Sequence, residues 1–320
     1  MTEMKRTLGA TGIPTTAIAL GLAALGRPGY LNLGHGGDFD DHSARAMAER
    51  SHEVLDAAYA AGVRHFDAAR SYGLAEEFLG QWLRARSIAP GAVTISSKWG
   101  YTYTADWQVD ADPPEVKDLS ADTLRRQIAE TREQLGDHLT LYQIHSATAS
   151  SGVLTDPDVR ALLAELRSRG VAVGFSATGT EQPDTIRQAI EVGGFDTVQA
   201  TYNLIERSAG DALQAAHEAG MGVIIKEALA NGRLTARGGI RALADAASRL
   251  RTTEDALALA GVLARPWVDA ALSGASTTEQ LHSNLRALEV EWDDALEDEL
   301  STLVEPPDQY WQTRSSLAWT

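Results

Sequence analysis

The sequence predicts an α/β protein of the (β/α)8 TIM-barrel class, with an N-terminal β-hairpin and long loops over the C-terminal mouth. Three observations lead there. Eight short β-rich runs alternate with helical segments along the chain, whereas an open doubly wound sheet usually stops sooner. The chain has 320 residues and 44% hydrophobic content, enough for one large core, so residues 1–320 are read as a single domain. Finally, an acid, a phenol, an amine and an imidazole fall at or just after the C-terminal ends of three successive runs, on the catalytic side of such a barrel.

Residues 5–13, with the turn Gly12-Ile13-Pro14, predict a hairpin placed to plug the barrel bottom, and residues 17–22 form the first strand. A Gly-rich connection, residues 26–41, follows that strand and therefore overhangs the mouth. Its His35, Asp38, Asp40 and Asp41 lack the ligand spacing of a hard-cation loop, so no metal is expected. An Ala-rich helical stretch, residues 43–61, leads into the second strand, 63–69, which carries Asp67. Tyr72 stands in the loop before an amphipathic helix that begins near Leu74. The third strand, 93–99, delivers Lys98, and the fourth, 139–145, delivers His145. Strands five to eight are residues 171–177, 197–203, 221–228 and 268–275, with helices near 121–135, 156–169, 182–191, 208–219 and 253–263. Residues 101–119 follow Lys98 and line the substrate cleft, so Trp99 and Tyr101 are assigned to the substrate pocket; residues 230–245 are a second candidate lid. The aromatic tail, 306–320, reads as a clasp on the barrel wall.

The four polar residues make chemical sense as a set. A Tyr hydroxyl, with an unperturbed pKa of about 10, is a poor proton donor near neutral pH, and a buried ammonium beside it lowers that value. Lys98 can be that ammonium, and Asp67 can supply the counter-charge that keeps it protonated. His145 is left to orient a carbonyl while Tyr72 protonates its oxygen.

The strings FDAARSYGLAEEFLG, SSKWG and LYQIH resemble the Asp, Tyr, Lys and His motifs of the aldo-keto reductase superfamily, and the resemblance runs from about Leu8 to about Leu288. It implies Tyr72 as general acid/base, with Asp67, Lys98 and His145 as its partners, and a nicotinamide cofactor. No GxGxxG follows a strand, so that cofactor must use the barrel rim. GASTTEQLHSN resembles the family's adenosine-phosphate segment, which places Gly274, Ser276, Gln280 and Asn284 along the adenosine half. Gln199 and Ser176 match the residues that hold the nicotinamide carboxamide, and KEALANGRL, with Lys226, Leu229 and Gly232, matches the loop that wraps the pyrophosphate. Ser276 and Glu279 are also spaced as a capping box. The resemblance favours NADP(H) over NAD(H). The chain departs from the family pattern in having Ser176-Ala177 where Ser-Asn is usual, Lys226 where an aromatic residue is common, and no Lys or Arg between Gly274 and His282. Arg233, Arg237 and Arg286 are the remaining candidates to meet a 2′-phosphate.

Composition narrows the partners. Lys and Arg number 28 against 44 Asp and Glu, a net charge of −16 that repels phosphate backbones and anionic lipid, so neither nucleic acid nor membrane is an expected partner. No cysteine is present, which excludes thiolate chemistry. The N-terminus lacks an apolar signal core, and a cytoplasmic setting is expected. Three functions fit: reduction of an aldehyde, ketone or sugar; the reverse oxidation of an aldose or other alcohol with NAD; and a slow-turnover cofactor-binding regulatory subunit.

Overall fold

The computed structural model describes residues 4–30 and 32–319, and of His35 the backbone alone. The chain opens with a hairpin, β1 (Lys5–Thr7) paired antiparallel with β2 (Pro14–Thr16). Behind it Leu8 is fully buried against Leu141 and Ile224, and the Gly9 amide donates to Asp269 at 2.9 Å, so the hairpin closes the bottom of the barrel as expected. The barrel strands are β3 (Ile18–Gly21), β4 (His65–Asp67), β5 (Thr94–Trp99), β8 (Leu139–Ala147), β9 (Ala172–Ala177), β10 (Thr197–Thr201), β11 (Gly222–Lys226) and β12 (Ala270–Ser273). They pair in parallel, each with the next, and β12 returns to β3 to close the cylinder. Between β5 and β8 a second hairpin, β6 (Tyr101–Tyr103) with β7 (Glu115–Lys117), stands above the mouth. It was not anticipated, because three-residue strands carry too little alternation to be read.

The helices are α1 (Ala23–Gly26), α2 (Ala44–Ala60), α3 (Ala75–Ala85), α4 (Ala121–Leu135), α5 (Pro157–Ser168), α6 (Gln182–Val192), α7 (Gly210–Glu218), α8 (Arg241–Arg249), α9 (Glu254–Leu263), α10 (Thr278–Leu285), α11 (Asp294–Ser301) and α12 (Pro307–Ser315). Several begin at hydroxyl or carboxylate caps: Ser43 accepts from the Ala46 amide, Ser120 from Thr123, and Asp156 from Asp158 and Val159 ahead of Pro157. Helix α10 corrects one expectation, since its cap is Thr277, which accepts from the Gln280 amide, and Ser276 lies one residue outside. Helices α1, α8, α11 and α12 lie outside the crossovers read from the sequence. Among the described residues no helix is long and apolar enough to cross a membrane.

The outward faces of the strands and the inward faces of the helices share one core that includes Phe66, Trp82, Trp99, Tyr142, Phe175 and Trp267. Where α1 meets the loop after β4, main chain packs on main chain. A Cβ on Gly26 would lie 2.2 Å from the Tyr72 carbonyl oxygen, and the Gly26 carbonyl accepts from the Leu74 amide at 2.8 Å. Gly26→Ala is therefore expected to push the Tyr72 loop away at a cost of about 1–3 kcal/mol. A lowered melting temperature together with reduced turnover is the expected outcome, and a variant matching the wild type in both would contradict this packing.

Candidate active site

Strand register brings the catalytic candidates together. Asp67 pairs with Ser96 across β4 and β5, and Lys98, two residues on, returns to the same inner face. Lys98 pairs with Gln143 across β5 and β8, so His145 follows on that inner face in turn. Lys98 Nζ forms an ion pair with Asp67 Oδ2, with side chains 0% and 1% exposed. It also donates to the Ala68 carbonyl at 3.0 Å and to the Tyr72 hydroxyl at 3.4 Å. The His145 ring stands edge-on to Tyr72 at 5.6 Å and to Tyr101 at 5.0 Å, and its Nδ1 lies 3.5 Å from Ser71 Oγ. All four residues expected to act together do converge.

A buried polar string, missed in the sequence, supports the pair from below. Thr15 Oγ1 and His65 Nδ1 are 2.9 Å apart, His65 Nε2 and Ser96 Oγ 2.9 Å, and Ser96 donates to Asp67 Oδ1 at 2.7 Å. Because Ser96 donates to Asp67, its oxygen accepts from Nε2–H, which leaves Nδ1 to accept from Thr15. Burial drives the His65 imidazole down to about 4, so it stays neutral. Gln199 and Gln143 add donors to Asp67 Oδ1 at 3.3 and 3.5 Å. On the outer side of β5, Glu76 accepts from Ser97 at 2.5 Å and Thr131 at 2.8 Å and pairs with Arg70. The only early sign of these residues was strand alternation, which marks a position as inward without saying what it bonds.

The electrostatics reverse one expectation. Burial pushes the Tyr72 phenol well above its ordinary value, helped by Asp67, Glu115 and Glu227 and opposed by Arg27. The expected lowering by Lys98 does not prevail: burial and the surrounding carboxylates dominate at the phenol, although Lys98 Nζ lies 3.4 Å from its oxygen. Burial lowers the Lys98 ammonium while Asp67 raises it. Burial and then Lys98, Lys226 and Lys117 hold the His145 imidazole well below its usual range, so it is neutral.

Asp67, Tyr72 and His145 line one end of a cavity of about 600 Å³ that continues past Gln199, Lys226, Leu229 and Gly232 to Gly274, just before α10, and to Gln280 and Asn284 along that helix. The donor set fits a nicotinamide dinucleotide: the Gln199 amide beside Tyr72, the main chain around Gly232, and a helix N-terminus at the far end, within the size of an ordinary ligand cleft. Three expected lining residues are elsewhere. Trp99 is fully buried in the core, because alternation turns it outward when Lys98 points in. Ser176 is used structurally, its Oγ accepting from the Ser146 amide at 2.7 Å and bracing the irregularity of β8 that follows His145. Ser276 is buried behind the rim, its amide and hydroxyl both donating to Gln280 Oε1.

The mouth holds charges that sequence reasoning did not assign. Arg27 is clamped between the rings of Tyr103 and Trp319, 4.7 and 4.8 Å from their centroids, and pairs with Glu115 at 3.1 Å. Tyr310 on α12 is buried against Asn203, so the tail does act as a clasp, yet Arg314 and Trp319 beyond it reach the cavity. Although burial works to raise it, Lys226 and Arg314 hold the Glu227 carboxyl down at about 2, while burial lowers the Lys226 ammonium to about 8. Apart from Lys226 at the end of β11, already assigned from the sequence, and Glu115 on the short β7, these residues come from loops and the tail, where no periodicity announces a shared site.

Residues 18–304 match the family model described as the Aldo/keto reductase family. Among curated relatives, the NADH-specific methylglyoxal reductase of Escherichia coli (strain K12) is 25% identical over 90% of this chain and 94% of its own length. The pyridoxal 4-dehydrogenase of Microbacterium luteolum is 30% identical over 73% of each chain. An aldo-keto reductase from Bacillus halodurans, solved in its holo form, superposes with a TM-score of 0.75 over 95% of this chain and 97% of its own at 20% identity, a likeness of fold.

The buried pair yields a stability test. Asp67→Asn leaves Lys98 without a counter-charge and is expected to cost about 3–5 kcal/mol. Urea unfolding should show it, with part of the loss recovered in Asp67→Asn/Lys98→Met; a single variant as stable as the wild type would remove the pair from its central place.

Proposed function

As a member of the aldo/keto reductase family, this chain is a nicotinamide-dependent oxidoreductase, and we propose that it reduces the carbonyl group of a small aldehyde, ketone or sugar with Tyr72 as the general acid. The observation that carries this reading is the convergence of Tyr72, Asp67 and His145 at one end of the long cavity, with Lys98 bonded to Asp67 and Tyr72. The cofactor, when bound, supplies the hydride that reaches the carbonyl carbon. Tyr72 Oη holds the proton that passes to the carbonyl oxygen, and burial keeps it loaded at neutral pH. The neutral His145 ring, braced edge-on by Tyr72 and Tyr101, orients the carbonyl by a hydrogen bond. Lys98 steadies the phenolic oxygen as its proton leaves, and Asp67 keeps Lys98 charged in a buried place. Arg27, Glu115, Glu227 and Arg314 make the mouth polar, which suits a hydroxylated substrate such as a sugar.

Oxidation of an alcohol by the same residues needs Tyr72 as tyrosinate, and the raised phenol supports reduction as the favoured direction at neutral pH. The buried charged pair beneath the phenol speaks against a slow-turnover cofactor-binding regulatory subunit, which has no need to keep it. We read the whole chain as one catalytic domain working in the cytoplasm on small molecules, its acidic composition turning it away from nucleic acid and anionic membrane. The choice between NADPH, which the family resemblance favours, and NADH turns on the far corner of the cavity.

Tyr72→Phe is expected to keep the fold and nicotinamide binding while losing about 10²–10⁴-fold in turnover on a panel of aldehydes, ketones and sugars. The acid form of Tyr72 exists below its pKa and is lost above it, so wild-type reduction should be flat across neutral pH and fall only beyond the ordinary phenol value of 10.0. Near-wild-type reduction by Tyr72→Phe would overturn the assignment.

A further inference from the structure

We propose that Asp38 selects NAD(H) over NADP(H), an assignment that rests on the nicotinamide-dependent function proposed above. With the reacting end of the cavity fixed by Tyr72 and His145, the far end lies at α10, where Arg237, Asp255, Glu279, Gln280 and Asn284 line the wall. Only four basic side chains line the cavity among the described residues: Arg27, Lys226, Arg237 and Arg314. Arg27 is paired with Glu115 at the mouth, and Lys226 and Arg314 both face Glu227. Arg237 is thus the cation at the far corner. Of the other two candidates, Arg233 pairs with Glu305 and Arg286 donates to the Arg251 carbonyl at 2.5 Å.

Arg237 does not meet the cavity as an uncompensated charge. Its guanidinium forms an ion pair with Asp38, only 8% exposed, and also donates to the Leu33 carbonyl at 3.0 Å. Asp38 Oδ2 further accepts from Gln280 Nε2 at 3.1 Å, with Ser276 Oγ 3.5 Å away. One carboxylate therefore engages both the cation and the amide that would otherwise be the donors for a phosphate on the adenosine ribose. With Asp255 and Glu279 on the same wall, carboxylates outnumber cations at this corner. A doubly charged 2′-phosphate must displace Asp38 from its partners and sit among carboxylates, whereas a neutral 2′-hydroxyl brings no charge and can donate to a carboxylate. The same balance runs against the preference for NADP(H) that family resemblance suggests.

Fluorescence titration of the purified protein with NADH and with NADPH tests the role without relying on turnover. The wild type should bind NADH at least about tenfold more tightly than NADPH, and Asp38→Asn, which keeps the shape but releases Arg237, should shift that ratio at least about tenfold toward NADPH. Adding Arg237→Ala to Asp38→Asn should abolish the gain, and the gain itself should shrink as salt is raised. Tighter NADPH binding by the wild type, an unchanged ratio in Asp38→Asn, or a gain that survives Arg237→Ala would each overturn the assignment. Binding of neither dinucleotide would instead overturn the nicotinamide-dependent function, and the role of Asp38 with it.

Discussion

A lysine with no exposed side-chain surface, set against one aspartate inside a barrel, is the constraint on which the rest of the molecule depends. A buried ammonium is tolerated only with its counter-charge and its hydrogen bonds in place. The strands supply both: register sets Asp67 beside Ser96 and Lys98, and Ser96 from the adjacent strand, with Gln143 and Gln199 from β8 and β10 across the barrel, donates to the carboxylate. His65 and Thr15 continue the string toward the N-terminal hairpin, so the bottom plug and the reactive end belong to one hydrogen-bonded column. Glu76, Ser97 and Thr131 hold the opposite face of β5 against α3 and α4.

That arrangement gives the phenol its character. Burial and then the carboxylates Asp67, Glu115 and Glu227 dominate at Tyr72, against the opposing Arg27. The phenol keeps its proton, as a donor to a carbonyl oxygen should. Above it the mouth is built from distant parts of the chain: Arg27 from the first loop, Glu115 from the β6–β7 hairpin, Arg314 and Trp319 from the tail. The Arg237–Asp38 pair ties the first loop to the loop after β11 across the far end of the same cavity. Substrate and cofactor ends are therefore both shaped by pairings between loops, over a frame fixed by strands.

Asp67, Lys98 and His145 could be found in the sequence because β-rich runs announce where strands end, and Tyr72 because it stands between such a run and an amphipathic helix. The eight barrel strands were legible for the same reason. Trp99 was misplaced because adjacency in sequence means opposite faces in a strand. Ser176 and Ser276 were given to a ligand on resemblance, yet their hydroxyls complete the bonding of Ser146 and Gln280. Arg27, Glu115 and Arg314 had no local signal at all, and Asp38 stood out only as a cation ligand without the spacing for one. Arg237 and Asp38 are 199 positions apart, and only the closed barrel brings their loops together.

The central claim is that burial holds Tyr72 protonated while Lys98 is engaged by Asp67. The most direct measurement is an ultraviolet difference titration of tyrosinate, wild type minus Tyr72→Phe, over the alkaline range in which the fold persists. The account predicts no Tyr72 tyrosinate until the pH has passed the ordinary phenol value of 10.0. A tyrosinate signal rising near neutral pH would contradict it, showing that Lys98 governs the phenol after all.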